Sequence, residues 1–415
     1  MSGRPWLLAT EELRQIGESL SALFLPRISP CIAILILQLL GLALGCGSRD
    51  RSTETTVSPA GVEVIVHDSG DRRLSWRLSA MSQLLDSTSQ LVSFPYLEPT
   101  NVTTDSRGQV LVLESRTGIS VYDSTGRYIK TIGRKGNGPG EFQHVESVAF
   151  GSPNMLSVFD VLRRVIISMD HDGAFLQEKP VFRLNGRPDG GLWRGGDTVL
   201  LTTSRPVEGG LLQELQMLTA KDTAVLASTL QPLRQAMVDL GCIRVGGLPI
   251  VFSPKMLVTV GPNSLAVVRD GGYVIDIFVG GRLARQVKRI VPRQRASVDM
   301  ASVLPDRSYS VYLDRTAGPS CQVSARKLAE QVGVADSLPS IEAVLIDHIG
   351  NLWVERYTSE QRFKQLDVFG PFGRYLGSLV APGRVMGFPT MKTILVAVND
   401  TLDESTHLVI FRLAR

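Results

Sequence analysis

Five histidines are the first candidates for chemistry in this chain: His67, His144, His171, His348 and His407. None belongs to an HxH or HExxH pair, the spacing that sets two imidazoles on one metal ion. His144 differs from the others in its neighbours. Glu141 and Glu146 flank it, which makes it the best single candidate for a catalytic group. The plainer reading of the triplet is a solvated histidine between two acids. Just upstream lies Gly133-Arg-Lys-Gly136-Asn-Gly138-Pro-Gly140-Glu-Phe142, glycine-rich enough to raise a phosphate loop. A P-loop needs lysine directly after its last glycine, at a helix start. A dinucleotide fingerprint needs a strand before and a helix after. Here Pro139 follows Gly138 and strand patterns lie on both sides, so both are excluded. The glycines read as a tight crossover between strands. No GxSxG elbow appears, and no Cys–His arrangement follows from the sequence.

The elements that must position these groups are strands. Asp105-Ser-Arg-Gly108 is a turn signal, because Asp bonds its own backbone two residues on and Gly accepts positive φ. Val110–Glu114, Ile119–Tyr122 and Tyr128–Ile132 then alternate as strands, with a second turn at Asp123-Ser-Thr-Gly126. The pattern recurs. Asp347-His-Ile-Gly350 with Leu352–Glu355, followed by Leu366–Leu376, repeats this meander, and Leu156–Asp160 with Ile166–Phe175 is a further copy. Looser copies run through 198–227, 264–283 and 394–413. Six units of short strands at this period predict an all-β fold, a six-bladed β-propeller of four-stranded antiparallel blades. The phenylalanines, Trp353 and Tyr375 of the fifth unit (Phe369, Phe372) read as packing between sheets.

In such a meander the hairpins joining the second and third strands of every unit emerge on one face. Taken in order they carry Arg116, Arg163 with Arg164, Arg205, Arg269, and Arg356 with Arg362 and Lys364. The sixth is acidic, with Asp400, Asp403 and Glu404. This reads as a basic rim for an anionic partner, such as an acidic envelope protein, an anionic glycan or lipid headgroups. Arginine outnumbers lysine 35 to 9, so solvated hairpins from composition alone stay open beside it. A net charge of +4 is too small to argue for nucleic acid, and no RNP, zinc-finger or helix-turn-helix signature is present.

The Gly133–Phe142 segment resembles the crossover of NHL-type repeats and, more closely, that of bacterial six-bladed β-propeller lipoproteins. Propeller lyases and lactonases, which resemble this fold, assemble metal sites from His, Asp, Glu and Asn at the ends of inner strands. That resemblance would place Glu141, His144 and Glu146 near one such end, at the channel mouth.

Residues 1–46 resemble a lipoprotein signal: an uncharged run from Ile32 ends in Ala43-Leu-Gly-Cys46, where Cys46 would carry the lipid. The run is short for a membrane-spanning helix of about 20 residues, and an uncleaved anchor helix is the alternative. Either places the bulk of the chain on the periplasmic side of a bacterial envelope. Residues 47–60 read as a flexible tether and 61–415 as the propeller. Val62–His67 and Leu74–Leu78 precede the first unit while the last stops after its third strand, so an N-terminal strand is expected to close the ring. Residues 292–338 read as an inserted loop with a short helix from Ser324. Cys242 and Cys321 are either a disulfide, which that compartment permits, or two buried thiols.

The expectation is a non-catalytic ligand- or protein-binding propeller, with no cofactor unless calcium or zinc binds. The alternative is a metal-dependent lyase or hydrolase at the channel mouth.

Overall fold

The computed structural model describes residues 53–94, 101–115, 117–151, 155–181, 184–195, 198–219, 222–304, 307–313, 316–358, 362–399 and 405–415. The signal with Cys46, Arg116, and Asp400, Asp403 and Glu404 lie outside these residues.

Three strands lead the described chain: β1 (Thr53–Val57), β2 (Glu63–His67) and β3 (Arg77–Gln83). Blade one follows with β4 (Val102–Thr104), β5 (Val110–Ser115), β6 (Gly118–Tyr122) and β7 (Tyr128–Ile132). Blade two is β8 (Val145–Gly151), β9 (Met155–Asp160), β10 (Val165–Met169) and β11 (Phe175–Pro180). Blade three is β12 (Arg187–Gly195), β13 (Thr198–Val207), β14 (Gly210–Leu218) and β15 (Thr223–Arg234). Short strands β16 (Val238–Asp239), β17 (Arg244–Val245) and β18 (Leu248–Pro249) lie in the crossover to blade four, which is β19 (Leu257–Val260), β20 (Leu265–Val268), β21 (Val274–Val279) and β22 (Arg282–Arg289). The next crossover holds β23 (Arg307–Leu313), β24 (Thr316–Val323) and helix α1 (Ala325–Val332). Blade five is β25 (Ile341–Ile346), β26 (Leu352–Arg356), β27 (Lys364–Phe369) and β28 (Tyr375–Ala381), and blade six β29 (Arg384–Thr390), β30 (Thr393–Asn399) and β31 (Thr406–Ala414).

Every blade is an antiparallel meander, and the fold is a six-bladed β-propeller. Its blades are held by six apolar layers, one between each successive pair. The layer joining Val110, Val112 and Tyr122 of blade one to Leu395, Leu408 and Ile410 of blade six closes the ring. A middle strand packs against a blade on each side, which is why β6 and β10 are buried at every position and read as continuous apolar runs, not alternating ones.

The recurring Asp-x-x-Gly turns are built alike. In each of Asp105, Asp123, Asp170 and Asp347, Oδ1 accepts from the backbone N–H groups two and four residues on. The fourth residue is a glycine at φ near +80 to +87, a region costly for other residues.

The ring is closed as expected by an N-terminal strand. It is β3, overlapping the second of the two candidates, and it pairs antiparallel with β31 as the outer strand of blade six. The first candidate goes elsewhere: β2 runs parallel to β22 on the outside of blade four, and β1, inside the segment read as tether, pairs with β2. Between them residues 68–74 cross the outer edge of blade five, where Leu74 N–H donates to Ser378 O at 2.8 Å and Arg73 bridges Ser378. Gly377 permits that approach, since a Cβ there would lie 2.5 Å from Arg72 O. Beyond β3, Leu85 bridges Arg127 beside β7 of blade one. The N-terminal segment is therefore a belt over four of the six outer edges. Trp76 of the belt stacks 5.6 Å from buried Trp353, which meets Phe388 of blade six at 5.3 Å. Phe372, expected to pack, is instead 76% exposed in a hairpin.

The crossovers on either side of blade four share a seventh apolar cluster, including Val238, Leu240, Phe252, Val323, Leu328 and Val332. In α1 the Ser324 side chain accepts from Lys327 N–H as N-cap, and Ala325, Leu328, Ala329 and Val332 are buried. Cys242 and Cys321 form a disulfide with Cα atoms 5.7 Å apart, joining the two crossovers. Closing a loop of 79 residues contributes about 4 kcal/mol in the chain-entropy model. Both crossovers arise where an outer strand ends and an inner strand begins, so this cap and all second-to-third-strand hairpins share one face of the ring.

Candidate functional site

The crossover into blade two fixes the first predicted triplet, and it splits it. Glu141 serves the crossover itself. Its Oε2 accepts from Gly138 N–H and its Oε1 from Arg134 Nε, both at 2.8 Å. The Gly138 amide, then Arg134, hold its carboxyl below the usual range. The fully buried Phe142 ring anchors the end of the loop beneath Gly133. Glu141 is thus a loop organiser and does not line the cavity described next.

His144 and Glu146 do come together. Asp160, buried at the end of β9, accepts from the backbone N–H groups of Gln143, His144, Leu162 and Arg163. One carboxylate so fixes both the crossover and the adjacent hairpin. The β8–β9 register shifts between Val145 and Ser147, so Glu146 is the extra residue of a bulge at the start of the inner strand. His144 Nε2 lies 3.3 Å from Glu146 Oε2. The pair lines a cavity of about 550 Å³ together with Val161, Leu162, Arg164, Arg187 and Pro188. The cavity lies on the hairpin face, where blade two meets the start of blade three.

The arginines of that face differ in their partners. Arg163 turns outward to Glu178 on β11 at 2.6 Å and donates to Glu141 O. Arg205 faces Glu214 at 3.9 Å, Arg269 meets Asp276 at 2.5 Å, and Arg356 meets Asp367 at 2.8 Å. The rim read from sequence is in these places neutralised from within the blade. Arg362 and Arg164 are the exceptions among the predicted residues: Arg362 lies 5.5 Å from the Phe363 ring and makes no ion pair among the described residues, and Arg164 stands at the cavity. Arg164 is exposed, with φ 54°, and makes no ion pair among the described residues. Arg187, which opens β12, is likewise exposed and without an ion pair among the described residues. Sequence reading missed Arg187, because only the ring brings the first residue of one blade against the hairpin of another.

Two further charged clusters escaped the sequence. At the blade four–five boundary Asp367 is fully buried. It accepts from Arg289 Nη1 at 2.6 Å, Tyr273 Oη at 2.7 Å, Arg356 Nε at 2.8 Å and Ser378 Oγ at 2.6 Å. Burial, then the adjacent carboxylate, pushes the Tyr273 phenol up, so it stays a donor. Asp71 of the belt meets both Arg289 and Arg356, and Arg356 above all lowers its pKa to about 2.

At the blade five–six boundary Lys364 Nζ lies 2.8 Å from Glu342 and 3.7 Å from Glu355, and Arg384 pairs with both glutamates. Glu355 is fully buried, and burial raises its pKa to about 7 against the pull of Lys364. Its Oε2 has no hydrogen-bond partner among the described residues. Among the described residues no group of three His, Cys, Asp or Glu side chains stands close enough to hold a metal.

Residues 94–184, which hold blades one and two, match a family profile described as a 6-bladed beta-propeller. No curated protein matches the sequence. Among solved structures, a protein of Bacteroides fragilis described as an inferred exported protein is 13% identical, with a TM-score of 0.48 over 85% of this chain and 100% of its own. A protein from Bacteroides vulgatus is 11% identical over 82% and 99%, with a TM-score of 0.44. Virginiamycin B lyase from Staphylococcus aureus, solved with quinupristin, is 11% identical over 82% and 100%, with a TM-score of 0.37.

Proposed function

We propose that this propeller is a recognition module tethered to the cell envelope, and that it binds an anionic ligand in the cavity between blades two and three. The observation that carries this reading is the contrast within one face. Arg163, Arg205, Arg269 and Arg356 each have an acidic partner, whereas Arg164 and Arg187 line a cavity of about 550 Å³ with none among the described residues. Two guanidiniums are always charged and offer planar, bidentate donors suited to carboxylate or phosphate.

The described chain begins on the same face. Thr53 pairs with His67, which pairs with Arg289, whose N–H donates to Tyr273 O at the edge of the blade-four hairpin. The chain therefore enters β1 on the face that carries the cavity. No helix among the described residues is long and apolar enough to cross a membrane.

The test is thermal unfolding of the purified protein titrated with hexanoate, sulfate and phosphate at constant ionic strength. A saturable rise in Tm, lost in Arg164→Gln and Arg187→Gln, is the expected outcome, since a ligand that binds only the folded state stabilises it. A flat response to all three anions would remove the reading.

A second reading, a lyase or hydrolase, is favoured by one observation: His144 and Glu146 are paired inside the same cavity. Elemental mass spectrometry of the purified protein separates the two. About one calcium or zinc per chain, lost with stability on chelation and on His144→Ala, would favour the enzyme; none would leave the recognition module.

A further inference from the structure

Blades two and five stand opposite one another in the ring, and their inner ends are built on one plan. In blade five the register shifts between Ile341 and Ala343, leaving Glu342 as the bulged residue, as Glu146 is in blade two. Ala343 faces Glu355 and Glu355 faces Leu366; the corresponding rungs are Ser147 to Phe159 and Phe159 to Ile166. Two residues before Leu366 stands Lys364, and two before Ile166 stands Arg164. Arg384 opens the inner strand of the following blade, as Arg187 does after blade two.

By register, then, Glu342, Lys364, Arg384 and Glu355 correspond to Glu146, Arg164, Arg187 and Phe159. The blade-five quartet balances two cations against two carboxylates, and all four side chains are in contact. The blade-two quartet has the two cations and one carboxylate. Phe159 is buried in the apolar layer between blades two and three, where it packs with Ala149, Ile166 and Leu201. One negative charge is absent from the set: Phe159 fills the place of Glu355, and the two cations, Arg164 and Arg187, line the cavity instead.

We propose that this cavity takes the carboxylate of a ligand with an apolar body, standing in for the glutamate that blade five supplies from its own chain. The inference rests on the anion-recognition reading above and narrows it. Arg164 and Arg187 receive the carboxylate, as Lys364 and Arg384 receive Glu355. Val161, Leu162 and Pro188 supply the apolar wall for the body, and Glu146 with His144 sets the limit on how much negative charge the site accepts. A dianionic phosphate would meet the Glu146 carboxylate at close quarters, whereas a monoanion completes the balance seen in blade five.

Isothermal titration of the purified full chain with hexanoate, hexyl phosphate and hexanol, three probes of one body with different heads, tests this. Hexanoate is expected to bind saturably. Arg164→Gln and Arg187→Gln should each weaken it at least tenfold, and Arg269→Gln, on the same face but paired with Asp276, should leave it unchanged. Hexanol should not bind. Hexyl phosphate binding with hexanoate silent would overturn the carboxylate assignment while leaving anion recognition in place. Silence from both charged probes would count against both readings. Equal binding of hexanoate and hexanol, insensitive to the two arginines, would reduce the cavity to an apolar cleft.

Discussion

The two halves of the ring are held by different means. Blades four to six carry the belt on their outer edges, the disulfide-linked crossovers flank blade four, and their charges are matched inside the protein: Asp367 with two arginines, Glu342 and Glu355 with Lys364 and Arg384. Blade two has neither belt nor disulfide, and its ion pair Arg163–Glu178 lies at the outer strand. That strand, β11, is exposed at every position, and where blade two meets blade three stand Arg164 and Arg187 without ion pairs among the described residues. The belt and the buried charge networks over-determine one side, which lets the other keep unmatched charge at a cavity. The matched networks and the proposed recognition site thereby fall on different blades of one repeat.

The largest effect should come from removing the belt. Deleting residues 53–83 uncovers the edges of blades four and five and takes β3 from blade six, leaving an unpaired β31. The expected result is loss of cooperative unfolding by circular dichroism and calorimetry. A deletion variant that melts with the unchanged curve would show that the inter-blade layers close the ring alone.

Next is the buried network. Asp367→Ala leaves Arg289, itself fully buried, with only the half-exposed Asp71 of the belt as a carboxylate partner. Breaking such a pair costs about 3–5 kcal/mol, measurable by urea denaturation. A loss under 1 kcal/mol would mean that Asp71 compensates from the belt.

The third effect is in pH. Folding raises the Glu355 carboxyl from 4.5 to about 7, so the folded chain binds this proton more tightly than the unfolded chain. Stability from this group is full below pH 4.5 and is lost as pH rises through about 7, by up to about 3 kcal/mol. Glu355→Gln, which cannot ionise, should shrink the fall in Tm between pH 5 and pH 8. An identical fall in the variant would move the titration to another group.

The smallest effect sharpens the contrast from the other side. Arg164→Gln and Arg187→Gln should change stability by less than about 0.5 kcal/mol, since both are exposed and neither is ion-paired among the described residues. If either variant lost several kcal/mol, that arginine would belong to the scaffold, and the division between halves would fail there.

The sequence carried the fold because its signals are local and repeated. An Asp-x-x-Gly turn fixes its own backbone within five residues, so Asp105, Asp123, Asp170 and Asp347 mark hairpins wherever they occur. Alternating apolar residues then specify strands, and a unit that cannot bury its faces alone must stack with its neighbours. The need for a closing strand was equally legible, because an open propeller leaves backbone groups unpaired. Of the candidate site, His144, Glu146 and Arg164 were within reach, since a crossover and the hairpin beside it belong to one blade.

Only the tertiary structure decided the rest. Whether an arginine is matched depends on a carboxylate that sequence separation hides: Arg163 finds Glu178 across its own blade, and Arg289 finds Asp71 from 218 residues away. Glu141 and Glu146 are the same residue type at similar distance from His144, yet one folds back on Gly138 and the other lines the cavity. Arg187 and Phe159 acquire meaning only when register sets them beside Arg384 and Glu355. Electrostatic balance is a property of positions in space, and in a closed ring the nearest charge is as often on the next blade or the belt as on the same strand.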